Sequence, residues 1–294
     1  MENVQIFWDP NGIELEQLGR KTKSGDPTDG DTPYVRMPIR MLGIDTPETS
    51  YQGGETTANN KFADLKTKLE SGDFDNWIDA GLKAQLLPKL INAGTLQINQ
   101  GEAAKVVFKD LLDDRLNKPG SSTPRSLFIR SADDYFDSFG RLLAYIAPNY
   151  TISELATVTA EDRKTFNLLM LESGWAASII IYPNLPKNKD LRMAREAVKN
   201  AKANGLGAWS DPNMLTGYEY RMCIKLQKAM KDAKPSNGFF VRESSWVTRF
   251  CVDMTTLKVY TPQKYYQVEP HNRIFIWPKD VRQAVGELNL IAAE

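Results

Sequence analysis

The run Tyr34-Val35-Arg36-Met37-Pro38-Ile39-Arg40-Met41-Leu42-Gly43-Ile44 constrains this chain more than any other stretch. It reads as a strand, and Asp45-Thr46-Pro47-Glu48 ends it, because proline brings no N–H to a ladder and favours a turn. Successive side chains of a strand point to opposite faces, so Arg40 shares its face with Leu42 and Ile44. A guanidinium on an apolar face makes sense where that face borders a pocket. The strand therefore leads a cation towards a site, and a turn carrying two carboxylates follows directly.

The rest of the chain mixes helical and extended patterns. Glu55 to Glu70 has helical spacing, with Phe62, Leu65 and Leu69 on one face. Trp77, Ile78, Leu82, Leu86, Leu90 and Ile91 mark a second helix that Pro88 bends. Ala104, Val107, Phe108, Leu111, Leu112 and Leu116 mark a third, stopped by Lys118-Pro119-Gly120. A strand at Leu127-Phe128-Ile129 then passes through Asp137-Ser138-Phe139-Gly140 into Arg141–Ile146, a hairpin with glycine in its turn. Residues 161–176 read as a helix, Ile179–Tyr182 as extended, and Lys189–Asn204 as an amphipathic helix ended by Gly205. Beyond Pro212 the style changes to one helix, Tyr218–Lys231, and short aromatic-rich strands. The expected organisation is a domain over residues 1–212 and an accessory α+β segment over 213–294.

Charge and histidine count narrow the chemistry. Lys+Arg and Asp+Glu both number 37, so the chain does not coat nucleic acid by bulk charge, although a local site for one or two phosphates remains open. Residues 213–294 hold 12 basic and 8 acidic side chains, read here as a solvated surface. The single histidine, His271, rules out two-histidine ribonuclease chemistry and zinc sites built from several imidazoles. Hydrolysis would have to rest on carboxylates, arginines and a hard metal ion; His271 itself reads as a surface residue. Cys223 and Cys251 are expected to be reduced thiols, and with no signal peptide visible the expected location is cytoplasmic. No run of 18 apolar residues suggests a membrane span.

The candidate chemistry gathers around a few residues. Asp29-Gly30-Asp31-Thr32 is a carboxylate-rich loop, and Arg141 directly follows the Gly140 turn, a second fixed guanidinium. Attack on a phosphodiester adds negative charge at phosphorus. Groups that meet the added charge bind the transition state more tightly than the substrate, and that difference accelerates the reaction. Planar guanidinium groups offer paired donors to phosphate oxygens, and a carboxylate can position or deprotonate water.

Together these stretches resemble the staphylococcal nuclease (thermonuclease) family. The matching segments are Asp29–Thr32, Arg40–Thr49 and Asp137–Tyr145, with weaker matches at Leu171–Ala176 and Ala201–Ser210, all in family order. The resemblance implies an α+β fold: a five-stranded OB-type β-barrel with packed helices, here with a helical insertion over about residues 72–122. It implies a calcium-dependent nuclease that cuts DNA or RNA and leaves 3′-phosphate ends. Asp31 and Asp45 would ligate Ca2+ through carboxylates and Thr46 through its carbonyl. Glu48 would be the general base, and Arg40 and Arg141 would hold the scissile phosphate. Ser138 and Phe139 depart from the lysine and tyrosine common in the family hairpin, which alters end recognition. Phe139 and Tyr182 are the remaining candidates for substrate contact. Two rivals use the same residues differently: a non-catalytic OB-type module that binds nucleic acid or protein, and a structural or regulatory protein whose added segments bind a partner.

Overall fold

The computed structural model describes residues 23–24, 35–233 and 240–293. The strand expected up to Ile44 is divided into three short strands, and the break before Gly43 organises the molecule. Strand β1 (Lys23–Ser24) pairs with β2 (Val35–Arg36), and β3 (Ile39–Met41) follows. Leu42 then turns, and β4 (Gly43–Asp45) begins at φ +74°, a conformation in which glycine avoids the steric cost of a Cβ. The alternation expected along 34–44 therefore does not persist across Leu42. Ile44 is buried, whereas Arg40 lies half-buried on another side and reaches Asp45.

Because of this break, one segment serves two sheets. After β5 (Leu127–Phe136), β6 (Leu142–Pro148) lies between β5 and β3, antiparallel to the first and parallel to the second. Strand β7 (Ala177–Tyr182) pairs with β4, setting Asp45 opposite Ala177. Strands β8 (Phe250–Asp253), β9 (Lys258–Tyr260), β10 (Arg273–Ile276) and β11 (Ile291–Ala292) complete a sheet in the order β11-β9-β8-β10-β7-β4. The α+β class holds. The sheets are open, and among the described residues no barrel closes.

The helices follow the apolar spacing closely. Helix α1 (Gly54–Ser71) buries Ala58, Phe62, Leu65 and Leu69. Helix α2 (Ala80–Leu86) tightens into a 3-10 turn at Leu87–Leu90, where Pro88 removes a backbone donor. Helix α3 (Ala93–Leu116) is a full eleven residues longer at its start than the apolar marks suggested. After a single helical turn at Ile152–Leu155 come the longer helices α4 (Phe166–Glu172), α5 (Asn188–Ala203) and α6 (Gly217–Asp232). Helix α7 (Val281–Leu288) precedes the last strand.

Packing runs straight across residue 212. Phe62 of α1 stacks near Tyr220 of α6, with centroids 4.9 Å apart, and both join one core with Leu226, Cys251 and Phe275. Burying each such side chain contributes roughly 1.5–3 kcal/mol. Arg273 is buried between α6 and the sheet. It donates to the Val268 carbonyl and the Tyr218 hydroxyl, each at 2.7 Å, and pairs with Glu219 at 3.5 Å. Burial works against charge on Arg273 and Glu219. Their neighbours outweigh it, raising the Arg273 pKa and lowering that of Glu219. His271, expected at the surface, is half-buried in the turn before β10, and burial lowers its pKa. Among the described residues no helix is long and apolar enough to cross a membrane.

Candidate active site

Three elements converge on the turn after β4. The Asp45 carboxylate, only 1% exposed, accepts from Arg40 Nη2 at 2.6 Å through Oδ1 and from Arg221 Nη2 at 2.8 Å through Oδ2. Arg221 turns its other terminal nitrogen, Nη1, to Glu48 Oε1. One guanidinium thus bridges both acidic residues of the Asp45-Thr46-Pro47-Glu48 turn. Burial works against the Arg221 charge, but Asp45 and Glu48 more than compensate and raise its pKa.

The position of Arg221 follows from how α6 begins. Thr216 accepts from the Glu219 N–H at 3.3 Å, and Glu219 accepts from the Thr216 N–H at 3.0 Å, a reciprocal cap that pins the helix start. Such a cap contributes typically about 1 kcal/mol. The first helical residue, Gly217, then sits against the turn. A Cβ there would lie 2.5 Å from the Thr46 carbonyl oxygen and 2.6 Å from Asp45 Oδ2, so only glycine allows the approach. One helical turn later Arg221 faces the two carboxylates. Helix α3 holds the turn from another side: with its amide oriented to satisfy both neighbours, Gln97 accepts from the Glu48 N–H at 3.0 Å and donates to the Leu215 carbonyl at 3.1 Å.

Arg141 is fixed by its own turn. Asp137 Oδ1 accepts from the backbone N–H of Phe139 at 2.8 Å and of Arg141 at 3.0 Å, while Oδ2 accepts from Arg141 Nε at 2.7 Å. Burial tends to raise the Asp137 pKa; the bonds from Arg141 and Phe139 override it and leave the pKa lowered. The β3–β6 register sets Arg40 opposite Leu143, and Arg141 stands two residues before Leu143. Ile39, Met41, Leu142, Ala144 and Ile146 pack in the core below. By alternation both arginines therefore leave the sheet on the opposite side.

The structure thus brings Arg40, Asp45, Thr46 and Glu48 into one cluster and places Arg141 on the same side of the sheet. Phe139 is 63% exposed beneath the Arg141 guanidinium, which lies 5.3 Å from its ring centroid. Tyr182 is elsewhere: it is 3% exposed, packed with Ile180 and Ile276, and its hydroxyl donates to Glu287 of α7. Asp31 lies outside the described residues. Sequence reasoning missed Arg221 and Gln97. The helix carrying Arg221 was legible, but nothing in its own spacing tells which distant turn it meets.

Residues 87–211 match the family model described as staphylococcal nuclease homologue. This stretch is staphylococcal nuclease-like. The match includes the Asp137–Arg141 turn and the Gly174 and Gly207 segments, and it begins inside the region expected to be an insertion. Arg40, Asp45 and Glu48 precede it, and Arg221 follows it. No curated protein matches the chain.

Oxygen donors of the kind a calcium ion takes are present around the Asp45–Glu48 turn, but their arrangement does not fit one. Both Asp45 oxygens and one Glu48 oxygen already face guanidinium groups. Among the described residues no three histidine, cysteine, aspartate or glutamate side chains gather to hold an ion. A cation at Asp45 would have to displace Arg40 or Arg221.

Proposed function

We propose that the chain is a nuclease that hydrolyses phosphodiester bonds of DNA or RNA at the Arg40–Asp45–Glu48–Arg221 cluster. The observation that carries this reading is the arrangement of two arginines around a buried carboxylate, with Glu48 at the open side. Arg40 uses one nitrogen on Asp45, leaving its other donors for phosphate oxygens. Asp45 acts as a positioning residue that fixes both guanidinium planes before substrate arrives. Donors fixed in advance avoid reorganisation as negative charge builds at phosphorus. Arg141 supplies a further fixed guanidinium from the neighbouring turn. Glu48, whose side chain is 38% exposed, is the group that meets water and orients or deprotonates it.

The finer parts of the reading come from the family resemblance. They are an OB-type five-stranded barrel, departure of the 5′-oxygen to leave 3′-phosphate ends, and dependence on Ca2+. The parallel β3–β6 pair beside antiparallel β5 supports the OB-type topology. The resemblance assigns calcium to Asp31, Asp45 and the Thr46 carbonyl, but with both Asp45 oxygens on Arg40 and Arg221 the described residues support only the arginine part of that site. Two free, buried cysteines support a cytoplasmic home.

A second reading has an observation in its favour. The carboxylates are locked to arginines, as in a module that grips a phosphodiester and does not cut it. The deciding experiment offers single-stranded DNA, duplex DNA and RNA to the full chain in calcium, magnesium or chelator, and follows both binding and cleavage. Cleavage supports the nuclease, and its loss in chelator supports the metal. Binding without cleavage in every condition supports the module.

A further inference from the structure

We propose that Arg249, with Trp277 beside it, forms a second phosphate-binding position for a nucleic-acid strand, supplied by the segment after residue 212. Arg249 directly precedes β8 and is half-buried. Its guanidinium carbon lies 5.2 Å from the Phe275 ring centroid and 5.3 Å from that of Trp277. A cation stacked on ring faces is held in place without using its N–H donors, which point outward around the guanidinium edge. Among the described residues no carboxylate pairs with those donors.

The neighbouring charges explain why an anion belongs there. Phe275, one of the rings under Arg249, packs 5.2 Å from Tyr218, and Tyr218 directly follows Gly217, which abuts the Asp45–Thr46 turn. Arg249 therefore lies on the side of the proposed cluster; Asp45 favours its charge, and Arg221 and Arg40 oppose it. The two carboxylates Asp45 and Glu48 are consumed by Arg40 and Arg221, so Arg249 is the guanidinium left in excess. Burial lowers its pKa more than distant Asp45 raises it, and a half-buried cation with no carboxylate in contact among the described residues is costly until an anion arrives. A backbone phosphate next to the scissile one has the required charge and acceptor geometry. Trp277 is 41% exposed, which leaves aromatic surface on which the adjoining base can stack.

This inference rests on the nucleic-acid reading of the cluster, and the test separates the two. The full chain, held in chelator, is titrated with a fluorescein-labelled single-stranded oligothymidylate by anisotropy over a range of salt. The parent is compared with Arg249→Gln and Arg249→Lys, each checked by thermal melting. Arg249→Gln is expected to weaken binding about fivefold or more and to reduce the salt slope by about 0.7, the loss of one phosphate contact. Arg249→Lys is expected to keep the slope and weaken binding about threefold, because it loses the planar stack. If Arg249→Gln does not fold, the lysine variant decides, and affinity equal to the parent's overturns the proposal. Parental affinity and slope in a folded glutamine variant overturn it as well. A parent protein that neither binds nor cleaves the strand defeats the nucleic-acid reading itself, and this inference with it.

Discussion

Asp45 shows how much a single buried charge can organise. Removing a carboxylate from water is costly unless each oxygen finds a strong donor, and here Arg40 and Arg221 supply them. Arg221→Gln should therefore lower stability by about 1–3 kcal/mol, the range for leaving a buried polar group unsatisfied. It should also reduce cleavage at least about tenfold. Lysine should not restore either property, because one ammonium cannot replace two nitrogens aimed at two carboxylates. Denaturant unfolding and initial rates check both outcomes. Asp137 gives a second test at this scale. Its folded pKa is depressed, so its stabilisation of the Arg141 turn is fully present above the unfolded value of about 3.9 and is lost as pH falls through the lowered folded value. Replacing Asp137 with Asn should reduce stability at neutral pH and flatten the acid limb of the stability curve in that window.

At the scale of elements, local spacing was a good guide and long-range partnership was hidden. Phe62, Leu65 and Leu69 announced α1, and the Asp137–Gly140 turn announced the β5–β6 hairpin. The Arg40–Glu48 block pointed to the cluster because its members lie within nine residues of one another. The break at Leu42–Gly43 was not legible, since an apolar run followed by glycine reads equally well as one strand. Nor could spacing reveal that α6 abuts this turn, because that contact joins residues 176 positions apart. Arg273 ties α6 to β10 and tests the joint. Arg273→Met leaves Glu219 without its buried countercharge, which should cost about 3–5 kcal/mol. Thermal melting at neutral pH should show it, and a variant as stable as the parent would mean that the pair is not a structural anchor.

For the whole molecule, the change in sequence style at residue 212 does not mark a gap in the core. Four of the six strands in the larger sheet come after it, and β10 pairs directly with β7. The candidate residues legible in the sequence all precede residue 213, and on that reading alone the accessory segment is dispensable for cleavage. With Arg221 on Asp45 and Tyr220 against Phe62, a fragment ending at residue 212 should instead be unfolded or inactive. Circular dichroism and an activity assay on that fragment decide the matter, and a folded, active product would restore the view of a dispensable tail.

The central claim is that this cluster breaks phosphodiester bonds, with Glu48 handling the attacking water. The most direct measurement is the initial rate of single-stranded oligonucleotide cleavage by Glu48→Gln against the parent, under the metal condition that best supports the parent. The substitution keeps size and can still accept from Arg221, yet it removes the charge that activates water. The account predicts a normal fold, retained binding and a rate lower by about a hundredfold or more. A Glu48→Gln protein that cleaves at the parental rate would contradict it.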